Sequence, residues 1–166
     1  LGYRLCRRER GIVPTFLKPI LRKRIIYKHR RHENPIYEAR QAALKWLLVV
    51  SFGYLGFRAA RFGRVEAHEC VTAYSRHVLL KAKALCERQG FRVLHGIVDC
   101  VWLQKPGVTV EEYVDLCDAI REATKLRIEF EGRYRWIMFL PCRGQSYGAL
   151  TRYCGTKEDG TIKVRG

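Results

Sequence analysis

The chain has 166 residues, of which 48% are apolar, so it can bury a core and does not belong to the disordered class. Its longest apolar run, "WLLVV" at 46–50, is far shorter than the roughly 20 residues that span a bilayer, so no membrane-spanning helix is expected. Arginines interrupt the N-terminal stretch at once, which argues against a signal peptide. The opening "LGYRLCRRERG", without Met, reads like a start partway through a longer protein.

Positive charge is concentrated in the first part of the chain. The whole sequence carries 32 Lys and Arg against 16 Asp and Glu, a net charge of +16. Residues 1–64 hold 16 basic and 3 acidic residues and account for +13 of this excess. Such asymmetry is typical of a surface that meets a polyphosphate or a nucleic-acid backbone. An anionic membrane surface is the less favoured alternative, because the basic residues do not follow one clean amphipathic helix.

The cysteines give no sign of a metal site. There are 7 of them, widely scattered, and none forms a CxxC pair. An odd number without such pairs argues against structural zinc and suits reduced thiols in a cytosol.

The first part of the chain predicts two helices. A helix starts at Pro14 and Thr15 and runs to about His32, and "ENP" at 33–35 breaks it. A second helix is predicted over 36–51, ended by Gly53 and Gly56. Two basic antiparallel helices joined by a short loop make a projecting hairpin rather than a core.

A long helix and a tight hairpin follow. Apolar residues recur at helical spacing over 65–89, and Gly90 is placed to cap the helix. The period then changes, because "FRVLHGIV" and "CVWLQ" are short runs rich in β-forming residues. Residues 91–104 are therefore predicted to form a β-hairpin.

The last part predicts a further helix and more strands. Residues 111–124 form an amphipathic helix, and "LRIEFEGRYRWIMFL" at 126–140 supplies two strands with a turn near Gly132. The end of the chain closes with a strand and a hairpin that turns at Asp159-Gly160. The order β-β-α-β-β indicates an α+β fold, an antiparallel sheet backed by helices.

Three cations of the helical hairpin are candidate phosphate ligands. Arg24 and Lys28 lie one turn apart on the same helix, and Lys45 lies on the antiparallel neighbour. Such a cluster suits a triphosphate, because Arg binds phosphate oxygens bidentately and Lys acts as a point charge. A solvated basic face is the alternative.

Asp99 is a lone carboxylate at the tip of the predicted β-hairpin. It can ligate a hard cation such as Mg²⁺, but two-metal phosphoryl transfer normally uses at least two carboxylates. An ordinary turn Asp is the alternative. His68 and His95 are interpreted as core or surface histidines, because no HExxH spacing accompanies them.

The segment "LKWLLVVSFGYLGFRAARFGRVEAHECVTAYSR" resembles the fingers-to-palm segment of family B DNA polymerases. That family has a Lys before an Asn-Ser-x-Tyr-Gly signature, and a Gly three residues later. Lys45 keeps its place, Phe52-Gly53 stands for Tyr-Gly, and Gly56 matches the later Gly. Upstream, "ILRKRIIYK" is similar to the fingers helix, whose Arg and Lys bind the triphosphate, and these fall on Arg24 and Lys28.

Further along, "GFRVLHGIVDCVWL" is similar to the segment that carries the family's Asp-Thr-Asp metal motif. Ile97 and Val98 replace the first two residues, and only Asp99 is kept. "EFEGRYRWIMFLP" matches the strands that follow it. "TRYCGTKEDGTIKVRG" resembles the element that tracks the primer–template duplex and implies DNA contacts for Arg152 and Tyr153. The altered metal motif resembles that of a divergent archaeal and bacterial lineage of the family.

The resemblance implies fingers at 1–56 and a palm at 57–166, with a backing helix and a C-terminal hairpin but no thumb. It implies a ferredoxin-like β-β-α-β palm sheet with projecting fingers. The implied activity is DNA-directed DNA polymerase with Mg²⁺ or Mn²⁺. Nucleotide-binding roles fall on Arg24, Lys28, Lys45 and Phe52, and the catalytic and metal-binding role falls on Asp99. The implied partners are primer–template DNA, a deoxynucleoside triphosphate and a remaining polymerase portion, without a membrane, in the cytoplasm at the nucleoid.

Two alternatives remain open at this point. The family's Asp-x-x-Ser-Leu-Tyr-Pro element does not occur in these residues, and one carboxylate does not hold two ions, so the chain alone is expected to be inactive. A catalytically inactive relative that acts as a DNA-binding or structural protein is therefore the first alternative. A four-stranded RNA-recognition module is a weaker one, because the "KGFGFVxF"-like strand is missing.

Overall fold

A computed structural model describes residues 2–4, 6, 8–145 and 147–166. Its elements, in chain order, are α1 (Ile12–His29), α2 (Pro35–Leu55), α3 (Val65–Arg88), β1 (Arg92–Ile97), β2 (Cys100–Gln104), α4 (Val110–Thr124), β3 (Tyr134–Pro141), β4 (Gly148–Lys157) and β5 (Ile162–Arg165). This confirms the α+β class. The chain divides into two compact units, Leu1–Tyr74 and Ser75–Gly166, and α3 runs from one into the other. Within the described ranges, no helix is both long and apolar enough to cross a membrane.

The first unit contains the α1–α2 hairpin that the sequence predicts. Asn34 caps α2, because its side chain accepts a hydrogen bond from the backbone N–H of Ile36, and Pro35 occupies the first turn, where its missing N–H costs nothing. The end of α2 differs from the prediction at Gly53, which lies inside the helix. A Cβ at Gly53 would meet no atom within 4 Å, so the glycine marks an open face and not a break. The prediction for Gly56 was correct, since Gly56 is the C-cap.

Aromatic and cationic side chains hold the tip of this hairpin. The rings of Tyr27 and Tyr37 stack with their centroids 5.6 Å apart. The guanidinium of Arg30 lies 4.5 Å from the centroid of the Tyr37 ring, and that of Arg40 lies 5.8 Å from the Tyr27 centroid. Neither helix contains a buried residue, so this cluster and a stripe of half-buried side chains connect α1 to α2.

The second unit has a small core between helices and strands. The buried core residues are Ala82, Cys86, Phe91, Val108, Leu116 and Ile120. They bring the C-terminal end of α3 and the inner face of α4 together. A capping box starts α4, because the Thr109 hydroxyl accepts from the Glu112 N–H and the Glu112 carboxylate accepts from the Thr109 N–H. Hydrogen bonds from Lys105 and from the Thr109 backbone lower the pKa of Glu112.

The strands of the second unit pair antiparallel, as predicted, but they form two sheets. β1 and β2 make a two-stranded hairpin, and β3, β4 and β5 make a three-stranded sheet. The Trp102 ring packs edge-on against Phe139 and Tyr153, with centroids 5.8 and 5.2 Å apart. The His95 Nε2 lies 2.9 Å from the Leu150 carbonyl oxygen. These contacts fix the hairpin against the three-stranded sheet.

The prediction of two strands over 126–140 was wrong for the first one. Residues 126–133 are irregular, and only β3 forms. Tertiary contacts replace strand pairing in this segment. Ile128 packs on the core, and its carbonyl accepts a hydrogen bond from Arg121 at 3.0 Å. The Glu131 carboxylate binds Lys157 and Lys163 at 3.4 and 2.5 Å. The Asp159-Gly160 turn between β4 and β5 forms as predicted.

The turn between β1 and β2 is strained at Val98. Its φ of 51° lies in the left-handed region, where a β-branched side chain is an outlier, and its side chain is 77% exposed. Asn and Gly are the residues that tolerate this region. The turn that presents Asp99 therefore contains a valine in a backbone conformation that valine disfavours.

We expect Val98→Asn to raise the free energy of unfolding by about 1 kcal/mol, because Asn adopts positive φ at lower cost. Urea denaturation of both chains measures the difference. Val164→Asn is the matched control, since Val164 is 70% exposed on β5 without positive φ. We expect this change not to raise the free energy of unfolding. Equal effects at the two positions would contradict the assignment of strain to Val98.

Candidate nucleotide and nucleic-acid site

Of the two α1 cations predicted to bind phosphate, Arg24 lies in the half-buried stripe of the helix and Lys28 lies on its flank. Arg24 is half-buried, and its Nε is buried without a hydrogen-bond partner in the part of the chain that the structure describes. Lys28 follows one turn later and is exposed. A buried guanidinium nitrogen without an acceptor is an unsatisfied donor.

Lys45 and Phe52 lie two turns apart on one flank of α2, next to its half-buried stripe. In an antiparallel pair, helix geometry turns this flank and the Lys28 flank of α1 to the same side of the hairpin. Among the described side chains, none of these three cations forms an ion pair. The side therefore carries uncompensated positive charge beside an aromatic ring.

His68 covers the ring of Phe52. The sequence predicts His68 to be a core or surface histidine without a role in the site. The two ring centroids lie 4.3 Å apart at an interplanar angle of 20°. His68 Nδ1 lies 3.2 Å from the Phe52 carbonyl oxygen. The two residues are 16 positions apart on different helices, so no periodicity in the sequence signals this contact.

Asp99 lies at the exposed tip of the β1–β2 hairpin, as the sequence predicts. The Cys100 thiol lies 3.4 Å from Asp99 Oδ1 and donates to it. Burial raises the pKa of the Cys100 thiol, and the bond to Asp99 raises it further. Asp99 borders a cavity of about 510 Å³ that Trp102 and Glu131 also line. Glu131 is already bound to Lys163, which lowers the pKa of the Glu131 carboxyl.

The residues around Asp99 do not fit a pair of Mg²⁺ ions. Within the described ranges, no group of three or more His, Cys, Asp or Glu side chains could hold a metal ion. The side chains of Ile97 and Val98 beside Asp99 carry no ligand atoms, and apolar neighbours disfavour an ion. Among the described residues, Asp99 is the one carboxylate at the tip, and Glu131, which lines the same cavity, is already paired with Lys157 and Lys163. This is less than two-metal phosphoryl transfer requires.

Arg152 and Tyr153 point to opposite faces of β4, because neighbouring residues alternate along a strand. Arg152 is exposed and donates to the Pro141 carbonyl at 3.3 Å. Tyr153 is only 7% exposed and packs against Trp102 and Phe139. Of this pair, only the Arg152 side chain is exposed to solvent, and Tyr153 joins the sheet to the β-hairpin.

The predicted site residues fall into two groups, one in each unit. Arg24, Lys28, Lys45 and Phe52 belong to the first unit, where one side of the helical hairpin carries them. Asp99, Arg152 and Tyr153 belong to the second unit.

Comparison with known proteins gives consistent matches along the chain. The family model described as DNA polymerase family B matches residues 3–147. "DNA polymerase 2" of Saccharolobus solfataricus is 36% identical over 142 residues, which are 86% of this chain and 21% of that protein. A DNA polymerase of Archaeoglobus fulgidus is 28% identical over 173 residues, covering 100% of this chain and 21% of the relative.

A solved structure matches as well. The family B DNA polymerase from Pyrobaculum calidifontis matches 99% of this chain and 21% of its own with a TM-score of 0.71 at 26% identity. The chain thus spans about a fifth of the length of the relatives it matches. Since the family model covers most of the 166 residues, the chain belongs to DNA polymerase family B.

Proposed function

We propose that the chain is the fingers and palm part of a DNA-directed DNA polymerase, with fingers at 1–56 and palm at 57–166. The observation that carries the proposal is the cationic side of the helical hairpin, where Arg24, Lys28 and Lys45 form no ion pair among the described side chains. In a family B chain, a deoxynucleoside triphosphate is the ligand whose charge suits this side.

In this proposal each cation has its own role toward the triphosphate. Arg24 binds phosphate oxygens bidentately, since its guanidinium presents a planar fork of donors. Lys28 and Lys45 add point charges from α1 and α2. Phe52 offers an aromatic face to the nucleotide on the same flank as Lys45. Together the four side chains would hold the incoming nucleotide through charge and shape.

The palm part is proposed to contact primer–template DNA. Arg152 is exposed on β4 and would meet a backbone phosphate. Tyr153 would act behind it, by fixing the strand that carries Arg152 against Trp102. This function would place the protein in the cytoplasm, at the nucleoid.

Asp99 is proposed as one carboxylate ligand for Mg²⁺ or Mn²⁺ in a completed polymerase. Bound metal ions would neutralise charge on the attacking and leaving oxygens. Because the described residues supply a single carboxylate at the tip, a further one would have to come from a remaining polymerase portion or a second chain. In this proposal the described residues by themselves would not make a nucleotidyl-transfer site.

A catalytically inactive relative that binds DNA or serves a structural role is the second candidate function. Ile97 and Val98 favour it, since they stand beside Asp99 and offer no ligand atoms. The cationic side of the hairpin favours the first function, because a protein that only binds duplex DNA needs no triphosphate grip.

Nucleotide binding tests the hairpin. We expect Arg24→Ala and Lys45→Ala each to weaken the binding of dATP to the chain roughly tenfold, because each change removes a charge-assisted contact. Isothermal titration calorimetry with Mg²⁺ measures it. Lys23→Ala is the control of equal charge, since the exposed Lys23 lies beside Arg24 but away from α2. If Lys23→Ala weakens dATP binding as strongly as Arg24→Ala and Lys45→Ala do, the nucleotide binds through overall positive charge only, and the proposal fails.

DNA binding tests Arg152. We expect the chain to bind a primer–template duplex with an affinity that falls as salt rises. Arg152→Ala should lower the slope of log affinity against log salt by about 1, the loss of one phosphate contact. Fluorescence anisotropy over a salt series gives the slope. Arg88→Ala, an exposed arginine on α3, is the control, and an equal fall in slope there would deny Arg152 a particular role.

Primer extension tests whether the described residues lack a complete metal site. The 166-residue chain should bind the duplex but extend no primer with Mg²⁺ or Mn²⁺, because it supplies one carboxylate. A gel assay compares it with Asp99→Ala and with Asp115→Ala, an exposed carboxylate on α4. Extension abolished only by Asp99→Ala would show that the chain completes its own metal site. Extension unchanged by Asp99→Ala would overturn its role as a ligand.

A further inference from the structure

The end of α2 is anchored by a side chain from α3. In the last turn of α2, the carbonyl groups of Phe52–Leu55 lack the usual partners along the helix. Backbone N–H groups satisfy three of them: Gly56 donates to Gly53, Phe57 to Tyr54 and Arg64 to Leu55, at 3.0, 3.2 and 2.8 Å. His68 Nδ1 serves the remaining one, at Phe52, at 3.2 Å. His68 therefore completes the C-terminal cap of α2.

The bond fixes which nitrogen carries the proton. A carbonyl oxygen only accepts, so Nδ1 of His68 must donate.

The same histidine also restrains the Phe52 side chain. The rings are nearly parallel, at 20°, with centroids 4.3 Å apart, so His68 covers one face of the Phe52 ring. Phe52 keeps 36% of its surface exposed. His68 thus holds both the backbone carbonyl and the ring of Phe52. The exposed part of the Phe52 ring lies on the flank of α2 that carries Lys45.

Gly56 provides the room for this arrangement. A Cβ at Gly56 would lie 3.2 Å from His68 Nδ1 and 3.3 Å from His68 Cγ, closer than side-chain contacts normally come. The absence of a side chain at Gly56 lets the imidazole reach the Phe52 carbonyl. Gly56 and His68 therefore act as a pair.

We propose that His68 is a positioning residue of the nucleotide site, acting through Phe52. This inference rests on the proposed role of Phe52 toward the nucleotide. By fixing the Phe52 ring before a nucleotide arrives, His68 lowers the entropy that binding would otherwise lose in ordering that side chain. The bound group would be the base or sugar of a deoxynucleoside triphosphate, since these are the parts that meet an aromatic face.

The test is a double-mutant cycle on dATP binding by the 166-residue chain with Mg²⁺. We expect His68→Ala to weaken binding about fivefold to tenfold, from the lost hydrogen bond and ring contact. In the Phe52→Ala background, His68→Ala should have almost no further effect on dATP binding, because the Phe52 ring through which His68 acts is absent. His68→Phe keeps the ring contact and should recover part of the affinity.

Three further measurements serve as controls for this cycle. His77→Ala, an exposed histidine on α3, controls for the loss of an imidazole and should leave the affinity unchanged. Circular dichroism verifies the helices, and if His68→Ala fails to fold, His68→Asn and Gly56→Ala disturb the anchor more mildly and should weaken dATP binding. Proton NMR of the His68 ring should show an upfield ring-current shift that Phe52→Ala removes.

The outcomes are distinct. Equal losses from His68→Ala with and without Phe52, or no loss at all, would overturn the positioning role while dATP binding by the unmodified chain stands. No dATP binding by the unmodified chain, with the NMR signature of the ring contact intact, would refute the proposed nucleotide site, and the positioning role would fall with it. Non-additive loss with recovery in His68→Phe supports the proposal.

Discussion

Like charges gathered on one side of a helical hairpin repel each other, and the α1–α2 pair holds them without a single fully buried side chain. At separations of roughly 7 Å, two exposed cations repel by about 0.6 kcal/mol in water, and salt reduces this further. The stacked pair Tyr27 and Tyr37, with the two arginines against their rings, and the Asn34 cap offset a cost of that size. A bound polyanion would turn the repulsion into attraction, so the arrangement favours a ligand more than it favours the free hairpin.

The elements were largely predictable because their signals are local. Helical spacing placed α1, α2, α3 and α4, and the change to short β-rich runs placed the hairpin. The failures have tertiary causes. Gly53 did not end α2, because the helix continues to Leu55, whose carbonyl accepts from the Arg64 N–H. The stretch before Tyr134 did not form a strand, because Ile128 packs on the core and Glu131 binds lysines of the three-stranded sheet. No local pattern contains such partners.

The same distinction applies to the candidate site. The one-turn spacing of Arg24 and Lys28, and the turn position of Asp99, follow from the sequence alone. The burial of Tyr153 does not, because it depends on which face of β4 meets Trp102. Nor does the contact of His68 with Phe52, which joins two helices through a side chain that looks ordinary in the sequence.

The proposed nucleotide site and the proposed metal site need different arrangements of residues, and in this chain the two sets of candidate residues lie in different units. The grip needs cations and an aromatic ring on one side of two neighbouring helices, and a single short hairpin supplies all of them. The metal site needs several carboxylates brought to one point from distant parts of a chain, and the described residues bring one, at the tip of a turn strained at Val98. Binding free energy comes from the first arrangement, whereas lowering the barrier to phosphoryl transfer requires the second. Under the proposed function, a chain with the first arrangement and without the second would bind a nucleotide but not transfer it, and the apolar neighbours of Asp99 would not affect that binding.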